Sequence, residues 1–306
     1  MNITVCFDKI DPKPWIELLS SSIQGSFVSE WKPGNEPSDI AIVWEPPQQF
    51  IDEQKDLKFI FNIGAGVDSV LKLKLPNTVK VVKLDGPDIS LQMAEYVCHA
   101  VIRHFRKFNE YTIDAKKKRW TLRKPRSRTD FIIGVMGLGN TGQRVAKALR
   151  VFDFPVNGYS RSSKYIEGVT CFSGKEQFSD FLGSCRVLVN LLPLTSDTEH
   201  ILNRESLSLL PRGAYVINVA RGNHLVERDL IELIDSGHLS GATLDVFKTE
   251  PLHTQHPFWE HPSITITPHI GARIMREETV TQIVSKIEAI GQGKSITGVI
   301  DSYKGY

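Results

Sequence analysis

Short apolar runs recur along the whole chain, separated by polar stretches in which apolar residues return at helical spacing. In the first hundred residues the runs read ITVCF (3–7), IAIVW (40–44), FIFNIGAG (59–66) and VKVVKL (79–84). Between them lie WIELLSSSI (15–23) and the LKLKL stretch (71–75), with Pro33–Gly34 and Pro46–Pro47 as punctuation. Strand alternating with helix predicts a small parallel α/β domain. A long helical pattern follows, from Leu91 to Trp120, whose Val97, Val101, Phe105 and Phe108 fall on one face. Such a helix joins two domains or packs against a twin in a dimer.

The alternation resumes at Phe131, with strands expected at 131–136, 156–160, 187–192, 214–220, 242–247 and 264–268. Six strands with intervening helices predict a doubly wound sheet ordered 3-2-1-4-5-6. The tail carries one more helix, near 274–291, expected to cross back and cover the first domain. The division drawn from this pattern is 1–98 with 273–306 as one domain, and 99–272 as the other.

Composition narrows the class. The 306 residues are 41% hydrophobic and 24% charged, enough to bury two ordinary cores. The net charge of +2 gives no reason to expect nucleic acid or an anionic membrane as partner. The basic segment KKKRWTLRKPRSR (116–128) therefore reads as a solvated linker. No apolar run approaches the roughly 20 residues of a membrane span, and MNITVCFDKI does not resemble a secretory signal. Cys6, Cys98, Cys171 and Cys185 lack metal or disulfide spacing, which points to a reducing compartment, the cytoplasm, and to no metal site.

Chemistry enters with FIIGVMGLGNTG (131–142), where a strand, a glycine turn and a helix start follow one another. Gly137 permits a tight turn, Gly139 lets the backbone approach a pyrophosphate, and Gly142 allows close helix packing. Leu138 lies in that turn, and Asn140 and Thr141 open the helix whose N–H groups face the phosphates. An NAD enzyme usually places a carboxylate at the end of the second strand for the ribose 2′-hydroxyl. Here the positions hold Ser160, Arg161, Ser162, Ser163 and Lys164, a set suited to a 2′-phosphate. NADPH is therefore favoured over NADH.

Three polar residues then sit at or just past the ends of apolar runs: Arg221 after AYVINVA, Glu250 after GATLDVF and His269 after SITITP. Ligands of open parallel sheets bind beyond the carboxyl ends of strands. A cation, a carboxylate and an imidazole there, beside a nicotinamide, are the parts of proton-coupled hydride transfer.

NVARG (218–222), LDVFKTEPL (244–252) and ITPHIGA (266–272), following GLGNTG, resemble the D-isomer-specific 2-hydroxyacid dehydrogenases. NIGAGVDS (62–69), IVWEPP (42–47), YSRSSK (159–164), CRVLVNLLPLT (185–195) and the terminal GY (305–306) are similar to the NADPH-dependent glyoxylate/hydroxypyruvate reductase A branch. The resemblance implies two Rossmann-like α/β domains: a flavodoxin-like substrate domain and an NAD(P)-binding domain. It implies His269 as general acid, Glu250 as its orienting carboxylate, and Arg221 as the group that binds the substrate carboxylate and polarises its keto group. Gly64, Ala65 and Gly66 would present backbone N–H groups to the same carboxylate, and Trp44 would line the pocket. Asp245 would meet the nicotinamide carboxamide. Leu192, Pro193 and Thr195 would lie beside the adenosine, with Val219, Ala220 and Gly271 completing the cofactor set. The implied reaction is NADPH-dependent reduction of glyoxylate or hydroxypyruvate in a cytoplasmic homodimer whose active site lies between the domains. The alternatives are a reductase of bulkier 2-oxoacids and a nucleotide-sensing corepressor-like protein.

Overall fold

A computed structural model describes residues 1–64, 66–84 and 86–300, with Pro87 described by its backbone alone. The expectations that rest on Ala65 and on Gly305–Tyr306 thus lie outside the described residues. The chain forms two compact units, Met1–Ile89 with Ile274–Tyr306, and Ser90–Arg273. The boundary read from the sequence at 98/99 falls inside a helix, Pro87–Phe105.

The first unit is built on five parallel strands: β1 (Asn2–Phe7), β2 (Phe27–Glu30), β3 (Ile40–Trp44), β4 (Phe59–Asn62) and β5 (Lys80–Lys83). Their order is β2-β1-β3-β4-β5, the flavodoxin-like arrangement. The strands alternate their faces. Ile3, Val5, Ile42, Phe61 and Val82 pack beneath Leu19 of α1 (Lys13–Ser22). Ala41, Val43, Ile60 and Val81 face Phe50 of α2 (Gln48–Glu53) and Val70 of α3 (Asp68–Leu71). Strand β2 went unread because FVSE is a short edge strand with only Val28 buried. The chain returns through the helix Arg276–Gly291, whose Val280, Ile283 and Ile287 join the α1 side of the core. Beyond it, Gly298 and Ile300 pair with the backbone of Lys83 and Val81.

The second unit begins with two helices where the sequence predicts one: α4 (Pro87–Phe105) and α5 (Phe108–Lys116). Lys107 breaks the run by adopting a left-handed φ of 59°. The expected apolar stripe breaks with it: Val97, Val101 and Phe105 are buried, whereas Phe108 is 44% exposed. The basic segment that follows is exposed apart from the half-buried Arg123 and Arg126, as a solvated linker is, but it is tethered through its arginines. Arg119 and Arg123 pair with the buried Asp114 at 2.6 and 2.5 Å. Arg126 stacks over Phe131, and Arg128 over Phe105 and Phe154, while both donate to backbone carbonyls of His104 and Phe152. Guanidinium planes stack on aromatic faces while their edges donate hydrogen bonds, so four arginines here dock a strap that is otherwise solvated.

The sheet of this unit has seven parallel strands, not six: β6 (Ile133–Met136), β7 (Val156–Ser160), β8 (Val169–Ser173), β9 (Val187–Asn190), β10 (Ala214–Asn218), β11 (Leu239–Leu244) and β12 (Ile264–Ile266). Their order is β12-β11-β10-β9-β6-β7-β8. The run at 187 therefore pairs with β6 and β10, not with β7 as the six-strand count required. The third position belongs to VTCFS, a partly exposed edge strand without the apolar signature. Helices α6 (Asn140–Val151), α7 (Phe178–Ser184), α8 (Arg204–Ser208) and α9 (Glu227–Asp235) cover its faces; the tail helix of the first unit is α10. Burial pushes the thiols of Cys6 and Cys185 up to about 12 and that of Cys98 to about 11, which makes them packing groups rather than nucleophiles.

Candidate active site

Pairing of neighbouring strands brings the three strand-end residues together. Leu244 of β11 lies opposite Asn218 of β10 and Ile266 of β12. Arg221, Glu250 and His269 follow those three adjacent strands, all at the carboxyl edge. His269 Nδ1 and Glu250 Oε2 are 2.7 Å apart, and the other Glu250 oxygen accepts from Phe247 N–H at 2.9 Å. The hydrogen bond with Glu250 is the main cause of a raised His269 pKa; burial and the Arg221 charge oppose it. For Glu250, burial acts to raise the pKa. The His269 and Phe247 hydrogen bonds, with the His269 and Arg221 charges, outweigh burial and hold the carboxyl below its usual range. The two shifts agree: near neutrality the pair favours imidazolium beside carboxylate.

Backbone approach fixes Arg221. A side chain on Gly222 would overlap the backbone of Phe247 and Lys248, so only glycine lets the turn after β10 nest against the Glu250 loop. Two fully buried amides brace the same corner. Asn190 Nδ2 donates to Asn218 Oδ1 at 3.0 Å, and Asn218 Nδ2 donates to the carbonyl of Arg221 at 3.0 Å. Asn190 Oδ1 also accepts from Leu192 N–H, linking this corner to the Leu192–Thr195 loop. Thr198 holds that loop by donating to the Pro193 carbonyl and accepting from Thr195 N–H. Sequence reasoning missed both asparagines, although each ends an apolar run, VLVN and AYVIN.

The glycine turn has the form a dinucleotide needs. Gly137 has a φ of 105° and sits against the Leu191 carbonyl, where a Cβ would clash. A Cβ on Gly142 would overlap the Gly137 carbonyl, which explains the close seating of α6 on β6. At Gly139 a Cβ would meet nothing within 4 Å, so packing does not demand glycine there. That open side lies at the uncapped N-terminus of α6, beside Leu138, Asn140 and Thr141, and fits an incoming phosphate. At the end of β7 the Ser160 hydroxyl donates to the Ser162 carbonyl at 2.8 Å and shapes the turn. Arg161, Ser162 and Lys164 on that turn are exposed. Val219 and Ala220 are buried between Asn218 and Arg221, and Gly271 N–H donates to Asp245 Oδ2 at 2.7 Å. Among the described residues no group of three His, Cys, Asp or Glu side chains could hold a metal ion.

In the first unit Trp44 ends β3, and its indole lies so close to Gly64 that any Cβ there would overlap the ring. Asn62, fully buried, donates to the carbonyls of Gly64 and Gly66 at 3.0 and 2.8 Å and fixes that turn.

Residues 98–271 match the family model described as the NAD binding domain of D-isomer specific 2-hydroxyacid dehydrogenases. The chain belongs to that family. It is 41% identical to the glyoxylate/hydroxypyruvate reductase A of Yersinia enterocolitica, with both chains covered in full. A Xanthobacter autotrophicus D-isomer specific 2-hydroxyacid dehydrogenase, solved with NADPH and MES, is 36% identical over 99% of each chain, with a TM-score of 0.94. The NADPH-dependent glyoxylate/hydroxypyruvate reductase of Sinorhizobium meliloti, solved with NADP and sulfate, is 33% identical. It covers 100% of this chain and 99% of its own, with a TM-score of 0.93.

The pair of His269 and Glu250 makes a direct prediction. Titrated by NMR, the His269 imidazole has a pKa above the ordinary value near 6.5, and Glu250→Gln lowers it by removing the acceptor charge. A wild-type value at or below 6.5, or one unmoved by the substitution, contradicts this electrostatic account.

Proposed function

We propose that this protein reduces small 2-oxoacids with NADPH, glyoxylate to glycolate and hydroxypyruvate to D-glycerate. The observation that carries the reading is the 2.7 Å His269–Glu250 pair beside Arg221, at the carboxyl edge of a sheet with a dinucleotide turn. Bound NADPH supplies the hydride that adds to carbon 2 of the substrate. His269 delivers the proton that the keto oxygen takes up, and Glu250 keeps the imidazole oriented and charged beforehand. Arg221 holds the substrate carboxylate and polarises the keto group through its donor fork. Gly64, Gly66 and Trp44 of the first unit stand as the substrate contacts that the family resemblance implies, with Ala65 outside the described residues.

The cofactor is held by the Gly137–Gly142 turn, with Leu138, Asn140 and Thr141 at the pyrophosphate. Leu192, Pro193 and Thr195 lie at the adenosine, and Val219, Ala220, Asp245 and Gly271 toward the nicotinamide. Ser160, Arg161 and Ser162 take the 2′-phosphate. Identity of 41% over the full length of a glyoxylate/hydroxypyruvate reductase A supports the substrate class. NADPH or NADP in the Xanthobacter and Sinorhizobium neighbours supports the cofactor. Four free cysteines fit a cytoplasmic enzyme. No described helix is long and apolar enough to cross a membrane.

Trp120 and Leu122 are 96% and 88% exposed, and together with Tyr111 and Ala115 of α5 they line one hollow. Large apolar side chains exposed in this way mark a protein-contact surface, and we assign it to a homodimer interface.

Turnover, cofactor kinetics and sedimentation test these assignments. Oxidation of NADPH followed over a panel from glyoxylate to phenylpyruvate gives turnover with the small members, declining as pH rises through the raised His269 pKa. His269→Gln lowers that turnover roughly 10²–10⁴-fold, the worth of a positioned acid; near-normal turnover in the variant removes His269 from the reaction. Arg161→Ala raises KM for NADPH about 10–100-fold, the equivalent of about 1.5–3 kcal/mol for charged hydrogen bonds, with KM for NADH nearly unchanged. Equal effects on both cofactors reject the 2′-phosphate assignment. Sedimentation gives twice the 34.4 kDa chain mass for the wild type and the chain mass for Leu122→Glu; a monomeric wild type rejects the dimer.

A further inference from the structure

The His269 loop is held from outside the catalytic trio by one face of α4. Tyr96 Oη lies 2.5 Å from Thr267 Oγ1, and Thr267 Oγ1 donates to Asp245 Oδ1 at 2.6 Å. The direction of this chain is forced. Thr267 has one hydroxyl proton and gives it to a carboxylate acceptor, so Tyr96 must donate to Thr267. Burial, the largest influence, pushes the Tyr96 phenol up to about 12, so the donor keeps its proton throughout the working range.

Asp245, 1% exposed, also accepts from Ile270 N–H at 2.9 Å and Gly271 N–H at 2.7 Å, and its backbone carbonyl accepts from His269 N–H at 2.8 Å. One turn earlier on α4, Gln92 accepts from Arg273 N–H at 2.9 Å and donates to the Arg273 carbonyl at 3.0 Å. Gln92 and Tyr96, four residues apart and so on one helix face, thus grip the segment 267–273 on both sides of His269. The segment needs that grip. His269 has a φ of 54°, a left-handed conformation that is strained for a non-glycine residue.

We infer that Tyr96, Thr267 and Gln92 are positioning residues for the general acid, acting through Asp245 and the backbone around His269 to fix the imidazole against Glu250. The inference rests on the proposed role of His269. Its consequence is electrostatic as well as geometric. The groups acting on the imidazole are Glu250 and Asp245, which favour its charged form, and Arg221, which opposes it. Those acting on Tyr96 are Asp245, Tyr215 and Arg103. The Glu250 hydrogen bond is the largest influence on His269, so a loosened loop loses the raised pKa along with the alignment.

The test compares Tyr96→Phe, Thr267→Val, Thr267→Ser and His269→Gln in the full-length enzyme, with NADPH and glyoxylate as probes. Tyr96→Phe and Thr267→Val lower kcat about 10–100-fold, the range for a catalytic group misplaced by an ångström or less, and leave KM for NADPH within about twofold. By NMR the His269 pKa falls in both, and Thr267→Ser restores rate and pKa together. Unchanged kcat and unchanged His269 pKa in the first two variants overturn the inference. So does a rate loss that follows lowered thermal stability with the pKa unmoved. If His269→Gln is inactive while the other variants behave as wild type, this inference alone fails. If His269→Gln is active, the reading beneath it fails instead.

Discussion

A single buried carboxylate organises the carboxyl edge of the dinucleotide unit, where the proposed acid sits. Asp245 follows β11, and its side chain accepts from the Thr267 hydroxyl and the N–H groups of Ile270 and Gly271. Its own N–H donates to the carbonyl of Asn218, and its carbonyl receives His269 N–H. It thereby ties the ends of β10, β11 and β12 into one piece. A buried carboxylate is costly unless its oxygens are satisfied; here the loop that carries the acid supplies the donors. The strained backbone at His269 persists because this network over-determines it.

The neighbouring corner solves the same problem with neutral groups. Asn190 and Asn218, both fully buried, hydrogen-bond each other and the turn that delivers Arg221. Gly222 then removes the one side chain that would hold this turn away from the Glu250 loop. Rigid backbone on either side leaves the imidazole, the carboxylate and the guanidinium as the groups presented at the edge, an arrangement suited to electrostatic preorganisation.

Much of this was legible in the chain. The apolar runs ending at Asn62, Met136, Ser160, Asn190, Asn218 and Ile266 are strands, because burial on both faces of a parallel sheet leaves a near-continuous apolar signature. The edge strands FVSE and VTCFS went unread for the converse reason: only partly buried, they carry no such signature. Missing the second of these misplaced β9 in the expected order, since a strand count fixes which positions in the doubly wound pattern the remaining runs occupy. The helix expected from Leu91 to Trp120 breaks at Lys107, a left-handed backbone choice that residue periodicity does not encode. The docking of the solvated basic strap was illegible for a related reason. Charge count suggested solvation, but Arg126 and Arg128 lie over aromatic rings that the fold brings from Phe105, Phe131 and Phe154.

The sequence by itself determined the α/β class, the dinucleotide turn and the strand-end trio proposed as catalytic, because each is written in local spacing: an apolar run, then a glycine or a polar residue where the run stops. It gave Asp245 a place at the nicotinamide carboxamide through the family resemblance and named Thr267 only within a motif. Their joint task depends on β11 and β12 lying side by side, and that of Tyr96 on α4 passing within hydrogen-bond reach of a loop 171 residues away. Partners so distant in the chain are chosen by packing, and only the tertiary structure decides them.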